Sequence, residues 1–358
     1  MTSTPLDPPG PEGAGPDPER SLPSELAAAP EPTSPAPITP AARPGLTFFT
    51  IEGRAAPGLF VVGWLATLAG LGLVLIGVLA SSPWFLYLIG PAVLTVGLVA
   101  GAGNQSMERR ARGAAYAGPS PYLVFAISIA ATFAAVAATG LILERIPGMT
   151  GMPQYVAAFL TVLIQGAVFL GVIRLTVVGT DALSWTEMGW RRFDRAAATN
   201  LLRGAAFALP VIGVTSILAG ILVNLLGQVP ESPLPPTGTN EGLVLNLIAG
   251  AVIAPVVEEA MFRGFAVSAW QRTVGETGAI VRASLVFALA HVINAGGTTF
   301  GQVGALIAIG FLTRIPVAFV LGWLFVRARS IWAPIGLHVT FNAILLVVAE
   351  LAIRSGTS

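Results

Sequence analysis

Residues 241–272 read EGLVLNLIAGAVIAPVVEEAMFRGFAVSAWQR, a long apolar run with two adjacent carboxylates near its middle. A charge near the centre of a bilayer costs at least about 2.5–3.5 kcal/mol, so Glu258, Glu259 and Arg263 require a specific reason to be there. Arg263 follows Glu259 by four residues, which places both side chains on one helical face and predicts an ion pair. Glu258 is rotated by about 100° from Glu259 and keeps a separate environment. Pro255 removes one helical hydrogen bond and predicts a bend beside the acids.

The two histidines of the chain both lie in later apolar runs. His291 ends the segment that begins at Phe287, and His338 precedes Asn342 by four residues, so imidazole and carboxamide share a helical face. Three separate membrane helices therefore carry Glu-Glu-x-x-x-Arg, Phe-x-x-x-His and His-x-x-x-Asn. This set of motifs predicts one shared polar site.

The composition is that of a membrane protein. The 358 residues are 54% hydrophobic and only 10% charged, whereas soluble domains carry about 25% charged residues. We therefore expect an all-α, polytopic transmembrane helical bundle, integral to the membrane and in contact with the lipid bilayer. The net charge of +1 argues against nucleic acid as a partner. The chain has no cysteine, so neither disulfides nor thiol chemistry contribute.

The chain divides into a tail and about nine membrane runs. Residues 1–46 are Pro-rich and acidic, and we predict a disordered tail. We assign 47–198 to N-terminal transmembrane helices, including an interfacial segment at 185–193, and 199–358 to a catalytic transmembrane core. The predicted membrane runs are 57–80, 83–103, 121–143, 152–178, 199–227, 242–272, 279–293, 301–327 and 331–353.

Arginine positions predict the orientation of these runs. Most arginines lie in or near the loops after the even-numbered runs, whereas the loops after the odd-numbered runs and the C-terminus hold only Arg145 and Arg354. The positive-inside rule then places the N-terminus in the cytoplasm and the C-terminus outside. The arginines near loops after the second, fourth, sixth and eighth runs are Arg109, Arg110, Arg112, Arg174, Arg191, Arg192, Arg195, Arg203, Arg272, Arg282, Arg327 and Arg329.

A depth estimate indicates that the polar side chains meet. At 1.5 Å per residue, Glu258 lies about 21 Å from the cytoplasmic edge of its run. By the same count, His291 and His338 lie at about 14 Å and Asn342 at about 20 Å. All four fall near the middle of a hydrocarbon core about 30 Å thick. Arg314 lies at about 20 Å as well, and we expect it to face the bundle interior near the acids unless it snorkels or pairs with a backbone carbonyl.

These residue types fit hydrolysis of a peptide bond within the membrane. A buried carboxylate with an imidazole nearby acts as a general base on water, while a second imidazole and an amide donate hydrogen bonds to an oxyanion. No Gly-x-Ser-x-Gly or His-Glu-x-x-His motif is present. We expect no cofactor. The alternative is one divalent metal, such as zinc, held by Glu258, His291 and His338.

Two other classes remain open at this stage. Buried acids also serve proton relays, so a proton-coupled transporter is one alternative, although the paired interrupted helices typical of that class are not evident. A non-catalytic scaffold or immunity factor is the other. The expected partner of a protease is a peptide or protein substrate presented at the membrane, with or without a lipid.

Residues 241–353 resemble the CPBP family, which contains the CAAX prenyl proteases and bacteriocin-processing proteins and is also called the Abi family. Three motifs in order carry the resemblance, together with Trp332-Ala-Pro334 ahead of the third. The matching residues are Glu258, Glu259, Arg263, Gly264, Phe287, His291, His338 and Asn342.

The resemblance implies a helical intramembrane endopeptidase. It implies that Glu258 and His291 activate water, that His338 and Asn342 form the oxyanion hole, and that Glu259 and Arg263 support the site. Eukaryotic members of the family remove the last three residues of prenylated CAAX proteins. Prokaryote-like members are linked to bacteriocin maturation or self-immunity. The tail and the first two membrane runs lie outside the resemblance.

Overall fold

The apolar runs form helices because a bilayer leaves no water to satisfy backbone polar groups, and a helix satisfies them within one segment. The computed structural model describes residues 54–79, 85–147, 151–230, 232, 234–293 and 295–356. This described part of the chain is helical and contains no strand, which confirms the predicted all-α class. The predicted tail at 1–46 lies outside the described residues.

Eleven α-helices, with three π-helical segments between some of them, occupy the described residues. The π segments are Arg174–Val178, Leu247–Ile253 and Ala260–Val267. The α-helices are α1 Pro57–Leu79, α2 Leu86–Ala111, α3 Pro121–Leu143, α4 Gln154–Ile173, α5 Arg195–Ala206, α6 Ala208–Leu226, α7 Asn240–Asn246, α8 Ala254–Glu259, α9 Ser268–Ala290, α10 Phe300–Ala328 and α11 Trp332–Arg354.

Eight helical stretches among the described residues are long and apolar enough to cross a membrane, so the protein is a multi-pass integral membrane protein. The sixth, Asn240–Ala290, has 51 residues and contains the predicted sixth run and most of the predicted seventh. It changes direction at Gly275, where φ is 76° and ψ is 177°. Positive φ in this range is accessible to glycine without strain.

Contacts across Gly275 show that this stretch is a helical hairpin. The rings of Phe262 and Phe287 have centroids 5.1 Å apart, and Glu258 Oε2 lies 3.6 Å from His291 Nε2. Both pairs are symmetrically spaced about residues 274 and 275, as antiparallel arms require. The predicted sixth and seventh runs are therefore the two arms of one hairpin.

The helix beside the acids is widened rather than simply bent. Pro255 lies in the first turn of α8, immediately after the π segment 247–253. A π turn has an extra residue and leaves backbone carbonyls with altered partners, which accommodates the N–H that proline lacks. A second π segment, 260–267, follows the acids and contains Arg263. Such widened turns are frequent at functional sites.

Helix α11, which carries His338, packs closely on α5. A Cβ on Gly204 of α5 would overlap the carbonyl oxygen of Ala333, and a Cβ on Gly336 of α11 would overlap that of Leu201. The two backbones therefore approach as closely as glycine allows, as small residues permit in membrane bundles. This packing fixes the position of α11 two residues before His338.

The predicted interfacial segment contains turns rather than a regular helix. The structure gives 179–194 as turns and bends up to the N-cap Asp194 of α5. Trp190 packs edge-on against Trp332 with centroids 6.0 Å apart, and the indole N–H of Trp332 donates to the Arg191 carbonyl at 3.0 Å. An aromatic cluster therefore joins this segment to the start of α11, whereas the predicted position at the membrane surface stays a prediction.

Candidate active site

Glu259 and Arg263 form a fully buried ion pair. Arg263 Nη1 lies 3.0 Å from Glu259 Oε1, and both side chains are 0% exposed. Arg263 Nη2 also donates to the Ala318 carbonyl of α10 at 3.1 Å. The spacing of four residues predicted this pair, and each charge compensates the burial of the other. The bond to Ala318 ties the hairpin to α10.

Hydrogen bonds assign the tautomers of both histidines. His338 Nδ1 lies 2.7 Å from Glu259 Oε1, and His291 Nδ1 lies 2.8 Å from the Phe287 carbonyl. A carbonyl oxygen only accepts, and the ion-paired carboxylate also accepts, so both Nδ1 atoms carry the proton. In the neutral imidazoles, both Nε2 atoms are therefore hydrogen-bond acceptors.

The two Nε2 atoms converge on Glu258. Its Oε2 lies 3.6 Å from His291 Nε2 and 3.8 Å from His338 Nε2. This oxygen is buried and has no hydrogen-bond partner among the described residues, although the whole side chain is 18% exposed. Three acceptor atoms from three helical segments thus surround one point. A water molecule placed there can donate its two hydrogens to two of these three acceptors.

Phe287 holds the imidazoles and Arg263 in place. Its ring centroid lies 4.4 Å from that of His291 and 5.8 Å from that of His338. The guanidinium carbon of Arg263 lies 4.5 Å from the same centroid. A cation over an aromatic face is stabilised by the ring quadrupole. Phe287 therefore contacts one polar residue from each of the three sequence motifs.

Asn342 occupies a different position from the other polar residues. Its amide Nδ2 donates to the Gly250 carbonyl at 2.7 Å. Gly250 belongs to the π segment 247–253, so this bond joins α11 to the widened turn before the acids. Within the described residues, no hydrogen bond joins Asn342 to Glu258 or to either imidazole. The predicted oxyanion role of Asn342 stays a prediction that the resting geometry does not test.

Arg314 lies on α10 and is partly buried. Its Nη1 donates to the Gly310 carbonyl at 2.9 Å, and its charge interacts with Glu258 and His291. The alternative that the sequence left open, a bond to a backbone carbonyl, is present, whereas the predicted inward position near the acids stays a prediction.

The two Nε2 atoms and Glu258 Oε2 are also candidate metal ligands. Two Nε2 atoms and a carboxylate oxygen are a chemically suitable donor set, and both Nδ1 atoms have the oriented partners that metal-bound histidines need. However, the described residues contain no group of three or more histidine, aspartate or glutamate side chains with the geometry of a metal site. Separations of 3.6 and 3.8 Å exceed the roughly 3.3 Å between ligands that follows from tetrahedral bonds of about 2.0 Å.

Sequence reasoning missed the backbone carbonyls of Gly250 and Ala318, which hold Asn342 and Arg263. Gly250 accepts within a π segment, a local irregularity that sequence periodicity does not reveal. A run of small residues, Ala249-Gly250-Ala251, was the available signal of close approach.

The fold and the site define a polytopic helical membrane protein with a buried acid and imidazole cluster. Residues 240–344 match the family described as Type II CAAX prenyl endopeptidase Rce1-like. The chain therefore carries an Rce1-like domain of the CPBP and Abi type over these residues. No curated protein and no solved structure matched the chain.

Proposed function

We propose that this protein is an intramembrane endopeptidase of the CAAX protease type, in which Glu258 activates a water molecule. One observation carries the proposal: the unpartnered Glu258 Oε2 lies within 3.8 Å of two imidazole Nε2 acceptors. The family that residues 240–344 match is described as Type II CAAX prenyl endopeptidase Rce1-like, which supports peptide hydrolysis. The expected substrate is a peptide presented at the membrane.

The reaction follows from the acceptor geometry. A water held between Glu258 and an imidazole donates its hydrogens to them, so its lone pair is free to attack the scissile carbonyl carbon. As the C–O bond forms, one proton moves to Glu258. The tetrahedral intermediate then collapses, the C–N bond breaks, and Glu258 returns the proton to the leaving amine. No covalent intermediate with the protein is needed.

Glu259 and Arg263 have a positioning role in this proposal. Because Glu259 is neutralised by Arg263 at 3.0 Å, it orients the His338 ring without competing for the water. Glu258 has no such cationic partner within 4.0 Å among the described residues, so its carboxylate is available to accept a proton from water. The adjacent carboxylates thus have distinct roles set by their surroundings.

The test is cleavage by purified protein in proteoliposomes. A farnesylated CAAX peptide is incubated in water enriched in oxygen-18, and products are identified by mass spectrometry. We expect one label in the newly formed carboxyl group for wild type and none for Glu258→Gln under the same conditions. Cleavage that persists in Glu258→Gln contradicts the proposal.

The metal-dependent alternative has a chemically suitable donor set but not the expected separations, and it is tested in the same assay. Treatment with a membrane-compatible chelator, followed by addition of zinc, distinguishes the two forms of the protease. We expect equal rates before and after chelation. Loss of cleavage on chelation and its recovery with zinc would assign a metal to Glu258, His291 and His338.

A further inference from the structure

The depth estimate from the sequence puts Arg314 near the level of the acids. Of Arg263 and Arg314, only Arg263 forms an ion pair within the described residues. The Arg263 guanidinium is bound by Glu259 and by the Ala318 carbonyl. For the Arg314 guanidinium, the structure records a single hydrogen bond within the described residues, to the Gly310 carbonyl at 2.9 Å. An arginine has five N–H donors, so most of the donors of Arg314 remain for a ligand. Ionisable residues inside a membrane bundle usually serve substrates or ions.

Gly310 places the Arg314 guanidinium beside the end of α9. A Cβ added at Gly310 would lie 2.8 Å from Val292 Cγ1 and 3.5 Å from Arg314 Nη1. Val292 directly follows His291, one of the two imidazoles that face Glu258. The glycine therefore leaves room for both Val292 and the guanidinium.

Arg314 and Glu258 are complementary charges that do not touch. The charge of Arg314 acts on Glu258 and on His291. Among the ion pairs within 4.0 Å in the described part of the chain, none joins Arg314 to Glu258. A direct pair would occupy the general base, whereas a separated cation leaves Glu258 available. The separation also leaves Arg314 free to bind a second anion near the scissile bond.

We propose that Arg314 binds the C-terminal carboxylate of the peptide substrate. This inference rests on the proposed function, since it assigns the site a substrate cleaved close to its free C-terminus. A carboxylate entering a membrane site that already holds Glu258 and Glu259 is repelled unless a cation receives it. The guanidinium presents a planar fork that matches a carboxylate with two parallel hydrogen bonds. Arg314 is thus a specificity-determining residue that favours peptides ending in a free acid.

The test compares two farnesylated CAAX peptides that differ only in a free acid or an amide at the C-terminus. For wild type, we expect kcat/KM at least about tenfold higher for the acid, because hydrogen bonds to a charged group are stronger than neutral ones. Arg314→Gln is expected to lose this preference, so that the acid is cleaved no faster than the amide. Arg314→Lys is expected to keep part of it.

Controls separate specificity from stability and from catalysis. Arg327→Gln, on the same helix but at its end, should retain the wild-type ratio of acid to amide. An amide-terminated peptide with aspartate as its last residue distinguishes the sources of the anion: if it is cleaved like the acid, a side-chain carboxylate suffices and the C-terminal assignment is wrong.

Several results overturn the inference while leaving the proposed function intact. Equal rates for acid and amide in wild type would do so, and this comparison needs no variant to fold. An equal slowing of both peptides by Arg314→Gln would instead assign Arg314 to transition-state stabilisation. Loss of the proposed function is recognised separately, by cleavage that survives Glu258→Gln.

Discussion

Glu258 and Glu259 are neighbours in sequence but lie in different environments. Glu259 is 0% exposed and paired with Arg263, whereas the Glu258 side chain is 18% exposed and faces two imidazole acceptors. The helical rotation of about 100° between adjacent residues separates them. We therefore expect substitution of Glu259 to lower the stability of the fold and substitution of Glu258 to lower the rate of cleavage.

Glu259→Gln should destabilise the fold strongly. The substitution leaves the Arg263 charge buried and uncompensated, which costs about 3–5 kcal/mol. We expect a lower thermal unfolding midpoint of the detergent-solubilised protein. The matched control is Glu276→Gln, an exposed carboxylate beside the Gly275 turn, which should unfold like wild type. An unchanged midpoint for Glu259→Gln would show that this ion pair does not stabilise the fold.

At the scale of the element, helix contacts decide where His338 lies. Gly336→Ala should disturb α11 because its Cβ would meet the Leu201 carbonyl of α5. Overpacking of this kind costs typically about 1–3 kcal/mol, and the backbone movement displaces His338 from Glu258. We expect a lower unfolding midpoint together with slower peptide cleavage.

Gly213→Ala on α6 is the matched control for Gly336→Ala. A Cβ at Gly213 has no atom within 4 Å, so both stability and cleavage should match wild type. If Gly336→Ala also behaves like wild type, the close approach of α5 and α11 does not position His338.

The turn segment between α4 and α5 has an acid-sensitive contact. Glu187 accepts hydrogen bonds from the Ser184 backbone N–H at 2.7 Å and from Arg272 at 2.6 Å. The Ser184 N–H first, and then Arg272, lower the pKa of Glu187 from 4.5 to about 2. Because the folded-state pKa is depressed, this stabilisation is present above about pH 4.5 and is lost as the pH falls toward 2.

The difference in the free energy of unfolding between wild type and Glu187→Gln should therefore become smaller as the pH is lowered. We expect wild type to be modestly more stable near pH 6, since the contact is partly exposed and screened by solvent, and the two proteins to converge as the pH falls toward 2. Thermal unfolding of both proteins across this range measures the difference. A difference that stays constant with pH would show that Glu187 does not titrate as this contact requires.

Sequence reasoning identified contacts within one helix better than contacts between helices. Spacing predicted the ion pair of Glu259 with Arg263, and estimated depth predicted that Glu258 approaches both histidines. The bond from Asn342 to Gly250 depends on how α11 meets a π segment, which has no sequence periodicity of its own. Likewise, Pro255 predicted a bend, which stays a prediction, but no pattern in the sequence predicted the wider turn that ends just before it.

At the scale of the whole molecule, helices outside the matched segment support the hairpin. The Phe125 ring of α3 lies 5.4 Å from that of Phe262, and Tyr122 lies 5.1 Å from Trp270 by the same measure. A Cβ on Gly166 of α4 would come 3.1 Å from Val257. Helices α3 and α4 therefore pack directly on the arm that carries the acids. The division at 198–199 into N-terminal helices and catalytic core stays a prediction.

The hairpin at Gly275 determines the predicted orientation of the C-terminus. If its two arms both cross the membrane, the chain makes nine crossings, and the ends lie on opposite sides, as the arginine distribution predicts. Because the chain has no cysteine, each introduced cysteine is a single labelling site. We expect an impermeant maleimide to label Arg145→Cys and Ser355→Cys from outside the cell and Ala114→Cys only after the membrane is opened.

Labelling of Ser355→Cys only after the membrane is opened would contradict nine crossings. It would mean that the stretch 240–290 does not cross twice, even though the arms fold back on each other. Labelling of Ala114→Cys from outside would instead reverse the whole predicted orientation. Both results leave the site geometry unchanged.

The most direct measurement of the central claim is the cleavage rate of wild type and Glu258→Gln in the same proteoliposomes, with one farnesylated CAAX peptide. The variant keeps the size of the side chain and removes the general base, which contributes typically about 10²–10⁴-fold to a rate. We predict a loss of at least about a hundredfold in kcat, with an unfolding midpoint close to that of wild type. A Glu258→Gln protein that cleaves at the wild-type rate would contradict the account of Glu258 as the residue that activates water.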